Sequence, residues 1–309
     1  MMKIAKGFRA LMAYALQTDP KAIPAVNWRE LPYTTTSLTA SYEKTPSETI
    51  RDTRVESKGM VTKATAQGDV GTEFFYGVYD DFMAGAAYND WQDNVLTFGG
   101  DVEKMFAIDR FNKDAGVAHL FLGCAINTFK LSISDGQLTG LTFGIMARGY
   151  ENQSNDARYA VNIVNATDLV PASTLMVKDF KINGALTNGV ACVKALDLEV
   201  NNNIQQIACI GDGIFAGGLA EFKQSTTGNL TLAYGKQSQA YVNNQVTGNT
   251  IGIEFTVHFE GKGDYVFSLP SIQVTGDVPS GGSNDVLDQA FSYSVADTPM
   301  TITRKPVTI

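Results

Sequence analysis

Residues 37–91 have the sequence SLTASYEKTPSETIRDTRVESKGMVTKATAQGDVGTEFFYGVYDDFMAGAAYNDW, which contains one structural unit in a single run. The run predicts a strand that ends at residues 37–39, a long charged loop, and a turn at Gly68-Asp69. A second strand ends in three aromatic residues, and a short helical segment follows over residues 79–87. A strand, a loop, a returning strand and a helix therefore form one predicted unit.

Most of the remaining chain consists of short β-branched and aromatic segments separated by Gly, Asn and Asp, as in an all-β protein. Apolar and polar residues alternate strictly in residues 251–259 (IGIEFTVHF), which predicts a strand with one buried face. Further strands are predicted in residues 138–146, 174–182 and 265–269. Residues 1–36 differ, because an amphipathic helical start is followed by prolines that break regular structure.

The predicted unit occurs twice in the chain. The sequence GDV at residues 68–70 is matched by GNL at residues 228–230, an offset of 160 residues. Each is followed by a strand that reaches a Tyr-Gly pair and by a helical segment, which covers residues 236–242 in the second case. The alternative to a duplication is chance repetition of this order in a β-rich chain. A duplication predicts an N-terminal arm (1–36), a first domain (37–150), a connecting segment (151–189) and a second domain (190–309).

Composition limits the classes of function that are compatible with the chain. Its 309 residues suffice for two domains of ordinary size. Hydrophobic residues make up 44% and charged residues 18%, so the chain can bury a core. The formal net charge of −8 argues against tight or sequence-specific binding to nucleic acid, since that affinity comes from Lys and Arg displacing counterions.

The cysteines and the first residues bear on cellular location. Cys124, Cys192 and Cys209 lack the spacing of a zinc site or a disulfide framework, so we expect reduced thiols that are mostly buried. Lys6 and Arg9 interrupt the apolar run that an export signal needs. No apolar run approaches the roughly 20 residues of a membrane span. We therefore expect neither a signal peptide nor a membrane segment.

Few residues of the chain could carry catalysis. Asp80 and Asp81 are adjacent acids, but in the first turn of the predicted helix they complement the positive end of its dipole. His119 and His258 are the only histidines, and neither has a partner at metal-ligand spacing. The glycine-rich residues 211–218 do not fit the G-x-G-x-x-G spacing. The sequence predicts no enzyme, no metal site and no cofactor.

A family pattern extends from the opening run, closed by Trp91, into the next segments. In order along the chain these are EKMF at 103–106, FLGC at 121–124, Asn127, Phe129 and LSI at 131–133. The pattern resembles the tail tube protein family of long-tailed bacteriophages. The resemblance implies a mainly β fold with two β-sandwich or barrel-like domains, each with a short flanking helix. It also implies that their strands join across neighbouring subunits into a continuous inner β-barrel.

The resemblance implies a structural virion protein, the major tail tube subunit, whose stacked rings conduct DNA during ejection. Six such domains in a ring, with about four strands each, give an inner barrel of about 24 strands. At roughly 4.8 Å per strand the backbone diameter of this barrel is at least about 37 Å. Such a bore is wide enough for a DNA duplex. Two domains per chain then predict a trimeric ring with pseudo-sixfold symmetry. Without the duplication, the ring would be a hexamer with an extra outer domain.

Two other functions are compatible with the sequence. One is a β-sandwich binding or decoration module of the virion surface, which would expose aromatic platforms. The other is an inner tube protein of a contractile injection system, which shares the fold and works with a sheath.

The loop from Glu43 to Lys58 mixes acids and bases, and in this family the equivalent loop reaches an adjacent subunit or ring. Alternating charge suits complementary contacts between copies. The predicted contact residues are Glu48, Arg51, Asp52, Arg54 and Glu56. We expect Arg51 and Arg54 to pair with acids on a neighbouring ring.

The resemblance also implies partners and a location. The partners are other copies of the chain, the tape measure protein and DNA in the lumen, and the tail terminator and distal tail proteins. The location is the virion tail, after assembly in the host cytoplasm. Residues that face the lumen are expected to be acidic or neutral, so that DNA passes without binding.

Overall fold

The computed structural model describes residues 4–188, 191–279, 282–283 and 286–307. The fold is mainly β and is built from antiparallel strands with two short α-helices. This confirms the predicted fold class at the level of secondary structure. The predicted boundary between the connecting segment and the second domain, at residues 189 and 190, lies outside the described residues.

The first ten strands are β1 (Ala10–Gln17), β2 (Arg29–Glu30), β3 (Thr35–Thr36), β4 (Thr39–Thr45), β5 (Met60–Glu73), β6 (Val95–Thr97), β7 (Met105–Asn112), β8 (Val117–Ser134), β9 (Gly140–Ala147) and β10 (Gly149–Gln153). The other ten are β11 (Val177–Ile182), β12 (Ala185–Leu186), β13 (Val193–Asn201), β14 (Gln205–Ile207), β15 (Gly218–Ala220), β16 (Ser225–Ala233), β17 (Ile251–Phe259), β18 (Gly263–Gly276), β19 (Asp288–Val295) and β20 (Thr301–Pro306). The α-helices are α1 (Asp80–Ala87) and α2 (Lys236–Thr247), and single 3-10 turns cover Gly7–Arg9 and Thr174–Met176.

Local patterns located both helices and several of the strands. Both helices lie where the sequence predicts them, although α2 extends five residues beyond the predicted segment. The alternating segment at 251–259 forms β17 with every second residue buried. The predicted strands at 138–146, 174–182 and 265–269 fall largely within β9, β11 and β18.

The expected helical start of the N-terminal arm is wrong, because residues 10–17 form strand β1. This strand pairs with β7 along its whole length, from Ala10 opposite Asn112 to Gln17 opposite Met105. Its residues 12–15 are buried on both faces. A short apolar run that is buried on both sides has no alternating pattern, so its periodicity does not separate a strand from a buried helix.

The turn predicted at Gly68-Asp69 is also wrong, since both residues lie inside β5, and the matching residues of the second half lie inside β16. The glycines are required by close approach of the neighbouring strand. A Cβ atom on Gly68, whose φ is +152°, would lie 2.5 Å from the carbonyl carbon of Ser37. A Cβ atom on Gly228 would lie 2.0 Å from the carbonyl oxygen of Asp197.

The same set of strand pairings occurs in both halves of the chain. In the first half β7 pairs with β1 and β8, β8 also with β9 and β10, and β5 with β4 and β9. In the second half β17 pairs with β11 and β18, β18 also with β19 and β20, and β16 with β13 and β19. Strand β8 is long because its first part pairs with β7 and β10 and its second part pairs with β9 and β13. Strand β18 is long for the same reason, since its first part pairs with β17 and β20 and its second part pairs with β19.

The correspondence extends to single residues. Residues 66–73 of β5 and 226–233 of β16 share one burial pattern, position by position. The β7–β8 and β17–β18 hairpins also have a register shift at the same place. It lies between Phe106 and Ile108 in the first hairpin and between Ile251 and Ile253 in the second. One large hydrophobic cluster contains residues of both halves, and Phe74 packs within it 5.3 Å from the ring centres of Phe259 and Tyr265.

We predict that Gly228→Ala lowers the free energy of unfolding by about 2 kcal/mol or more, because the added methyl group has no space beside Asp197 and Tyr293. The matched control is Gly140→Ala, since a Cβ atom there meets no atom within 4 Å and the residue is also in a strand. Urea denaturation followed by circular dichroism measures both. Equal stability of the two variants would contradict the close approach.

Candidate assembly interface

Eight strands form one continuous antiparallel sheet in the order β4-β5-β9-β8-β13-β16-β19-β18. The first four strands come from the first half of the chain and the last four from the second half. The two groups meet where β8 pairs with β13, from Thr128 opposite Asn201 to Ser134 opposite Ala195. We call this pairing the internal seam.

One face of this sheet is buried and the other is polar and exposed. Leu131 of β8, Leu198 of β13 and Leu230 of β16 represent the buried face, and α1 and α2 contact β8 and β18. The exposed face is made mostly of Ser, Thr, Asn and Gln, with a smaller number of charged residues. Its exposed residues include Gln67, Asp69, Lys130, Ser132, Asp197, Thr227, Asn229, Ser292 and Ser294. We call this surface the polar face.

The charges on the polar face are partly neutralised within it. At the internal seam the Nζ atom of Lys130 lies 3.2 Å from a carboxylate oxygen of Glu199. The hydroxyl of Ser132 donates a hydrogen bond of 2.5 Å to Asp197. Near the middle of the seam, three acids (Asp69, Asp197 and Glu199) lie on the same face as Lys130, so this part of the surface is weakly acidic.

The two ends of the eight-stranded sheet each have an open side. Strand β4 pairs only with β5 in the described chain, and residues 273–276 of β18 pair only with β19. On the open side of β18, the N–H of Gly276 donates to the side-chain oxygen of Gln245 in α2, at 3.1 Å. A side chain thus occupies a backbone donor that a further strand would otherwise bind.

The charged loop lies at the end of the β4–β5 hairpin, in residues 46–59. All five predicted contact residues, Glu48, Arg51, Asp52, Arg54 and Glu56, are exposed. The structure brings them together on one loop, but within the described chain none of them has an ion-pair partner. Ile50 and Val55, on the same loop, are 98% and 77% exposed.

The corresponding loop of the second half, residues 202–224, packs against the first half. The carbonyl oxygen of Ile214 accepts a hydrogen bond of 2.7 Å from the N–H of Ala64, in β5. The rings of Phe215 and Tyr42 meet edge to face at 6.1 Å. A loop from one half therefore reaches over the hairpin of the other half.

Asp80 connects α1 to the second half of the chain. One carboxylate oxygen accepts a hydrogen bond from the hydroxyl of Tyr265, and the other lies 2.5 Å from Nη1 of Arg304. The guanidinium of Arg304 stacks over Trp91, 4.1 Å from the ring centre. Burial and the charge of Asp80 raise the pKa of Tyr265 well above its ordinary value, so the phenol stays protonated.

Asp81 has separate partners in the N-terminal segment. It lies 2.7 Å from Nη1 of Arg29 and accepts a hydrogen bond of 3.0 Å from the hydroxyl of Tyr14. Both acids lie in the first turn of α1, as the sequence predicts. Each carboxylate is engaged with structural partners, which favours the structural interpretation over a catalytic pair.

The other residues considered for chemistry have ordinary surroundings. The Nδ1 atom of His119 forms a hydrogen bond of 2.7 Å with the hydroxyl of Tyr150. The Nδ1 atom of His258 lies 2.6 Å from a carboxylate oxygen of Asp264. Across the described ranges, no group of three or more His, Cys, Asp or Glu side chains is placed to hold a metal ion. No helix in those ranges has the length and hydropathy to cross a membrane.

The expectation of mostly buried cysteines is wrong. Cys124 is buried, and burial raises the pKa of its thiol, but Cys192 and Cys209 are exposed. Cys192 lies just before β13 and Cys209 lies just after β14, both at loop positions where the alternation of buried residues does not hold.

Sequence reasoning missed the residues that join the two halves behind the sheet. Besides Tyr265 and Arg304, these include Asn202, which is 2% exposed. The side-chain amide of Asn202 donates to the carbonyl oxygens of Ala86 at 3.0 Å and Ile126 at 2.9 Å. All three bind groups far away in the chain, so no local motif identifies them.

We predict that Asp80→Ala lowers the free energy of unfolding by about 3 kcal/mol, because it leaves Arg304 and the hydroxyl of Tyr265 without their partner in a largely buried site. Asp81→Ala is the matched control in the same turn. Its partner Arg29 is 59% exposed, so the main loss is the acceptor for the hydroxyl of Tyr14, and we expect about 1 to 2 kcal/mol. Urea denaturation compares the two variants, and an equal loss would contradict the role given to Asp80.

Comparison with known proteins agrees with the architecture. A family model described as phage tail tube protein matches residues 7–295, a range that includes all eight strands of the sheet. A search of curated proteins found no match to the chain. The match confirms the resemblance in the sequence and identifies a structural, non-enzymatic component of a phage tail. The chain belongs to the phage tail tube protein family.

Proposed function

We propose that this chain is the major subunit of a hollow tail tube and that three copies close each ring. The observation that carries the proposal is the internal seam, which joins two equivalent groups of four strands into one sheet. Three copies would supply about 24 strands, enough for a bore that admits a DNA duplex. Closing the sheet into a barrel also removes both of its open edges.

The equivalent pairings support two tube units in one chain, residues 37–150 and 190–309, each a β-sandwich or barrel-like domain with its own helix. Strands β1 and β11 occupy matching positions beside β7 and β17. The arm (1–36) and the connecting segment (151–189) therefore each contribute a strand to one unit. The assembled units form the continuous inner β-barrel.

In this tube the polar face lines the bore. Hydroxyl and amide side chains offer DNA no cluster of positive charge, and the acids near the seam repel phosphates. DNA can then slide through without being held. The lumen also contains the tape measure protein, and the tube ends meet the tail terminator and distal tail proteins. Assembly takes place in the host cytoplasm and yields a virion tail.

The charged loop 46–59 contacts an adjacent copy. Support comes from the second-half loop, which reaches over the neighbouring unit inside the chain through Ile214 and Phe215. The first-half loop has exposed apolar residues and unpaired charges, which suit a complementary surface on another molecule. Glu48, Arg51, Asp52, Arg54 and Glu56 are the contact residues.

We expect cryo-electron microscopy of assembled tubes to show rings with threefold symmetry, in which each copy contributes eight strands to the inner wall. Purified protein should also form rings or tubes in negative stain. Rings with true sixfold symmetry and one group of four inner strands per copy would contradict the trimer.

We predict that the double variant R51E/R54E reduces the yield of tubes about tenfold, because two attractive contacts between copies become repulsive. The control R51K/R54K keeps the charge and should retain most of the yield. Sedimentation and negative stain measure yield and tube length, and circular dichroism checks that the monomer is folded. Unchanged tube length and yield in R51E/R54E would remove the loop from the interface.

A further inference from the structure

The internal seam provides a template for the contact between copies. Resting on the proposed function, we propose that the end of β18 in one copy pairs antiparallel with β4 of the next copy. In this pairing Ala40 lies opposite Gly276 and Ser41 lies opposite Thr275. We call it the external seam.

The first step is that β4 corresponds to β13. Thr39 pairs with Gln67 in the first half, and Glu199 pairs with Thr227 in the second. Thr39 and Glu199 are 160 positions apart, and so are their partners Gln67 and Thr227. The same offset relates β5 to β16. Ala40 is therefore equivalent to Val200, and Ser41 to Asn201.

The second step is that the end of β18 corresponds to the end of β8. Phe143 of β9 and Phe291 of β19 are equivalent, because they pair with Val70 and Leu230. Phe143 lies opposite Phe129 in β8, and Phe291 lies opposite Gly276 in β18. Gly276 is therefore equivalent to Phe129, and Thr275 to Thr128.

The register follows directly. At the internal seam Val200 lies opposite Phe129 and Asn201 lies opposite Thr128. Replacing each residue by its equivalent places Ala40 opposite Gly276 and Ser41 opposite Thr275. The same substitution places Thr39 opposite Asp277.

The backbone groups have the matching orientation. The N–H of Ser37 donates to the carbonyl oxygen of Asp69 in β5, at 2.9 Å. Since successive residues of a strand point their backbone groups to opposite sides, those of Ala40 point to the open side of β4. The N–H of Gly276 also points to its open side, where Gln245 accepts it. Ala40 and Gly276 can therefore exchange two backbone hydrogen bonds.

A second copy of this chain is the occupant that fits both edges. The open sides of β4 and β18 differ from each other, so pairing one with the other gives a head-to-tail contact that a ring can close. The polar face continues across the contact, because Ser41 and Thr275 are both exposed. In the unassembled chain, the bond between Gln245 and Gly276 covers the edge until the next copy displaces it.

The test is disulfide cross-linking. S41C/T275C is made with the exposed native cysteines replaced (C192S/C209S) and is oxidised mildly after tube assembly. Ser41 and Thr275 form a non-hydrogen-bonded pair, whose Cα separation of about 4.5 Å allows a disulfide. We expect a covalent trimer on a non-reducing gel. T128C/N201C is the matched control, since it places the same pair at the internal seam and should cross-link within one chain. T39C/T275C is the control out of register by two residues.

The outcomes separate the external seam from the proposed function. A covalent trimer from S41C/T275C, with little product from T39C/T275C, supports the register. Tubes that assemble without this cross-link, or that cross-link both pairs equally, overturn the external seam and leave the tube function in place. A protein that stays monomeric at all concentrations, while T128C/N201C forms its internal bond, overturns the proposed function and the seam with it.

Discussion

The structure depends on the pairing of strand edges. A strand with one unpaired side exposes a row of N–H and C=O groups that must find partners, either in the same chain or in another. Within this chain the internal seam satisfies the edge of β8 with the edge of β13. Two groups of four strands thereby become one sheet, and the same pairing leaves β4 and the end of β18 as its open sides.

The packing behind the sheet fixes how the two groups meet. Asn202 bonds backbone carbonyls at the end of α1 and in β8, and Asp80 binds Tyr265 and Arg304 from the second half. These contacts lie on the buried side, where a lost partner costs more than it does in water. The two groups are therefore joined by buried polar contacts as well as by strand pairing.

Sequence patterns located elements whose cause is local. Strict alternation predicts β17, and acids in the first turn mark α1, since both effects act within a few residues. The sequence predicts a turn at Gly68 because the true constraint on this residue, backbone atoms of Ser37 within 3 Å, comes from a segment more than 30 positions away. Strand β1 has no such pattern for a similar reason, because distant segments cover both of its faces.

The candidate interface was predictable in part. The charged loop is visible in the sequence as a run of mixed charge, and the structure shows that run exposed. The edges of the sheet are not visible, because which strands end a sheet depends on pairings across the whole chain. The family pattern indicates a wall of strands, and only the pairings of all eight strands identify β4 and β18 as its ends.

The two halves differ in a contact that bears on the strength of the internal and the proposed external seam. Asp80 connects the first half to β18 and β20 of the second, but α2 has no acid in its first turn and begins at Lys236. At the proposed external seam, α2 therefore offers no acid that could make the equivalent contact. A subunit that must stay folded before assembly needs its internal seam to be closed at all times. A contact between copies must form and correct itself during assembly, and strand pairing without a buried ion pair permits that reversibility.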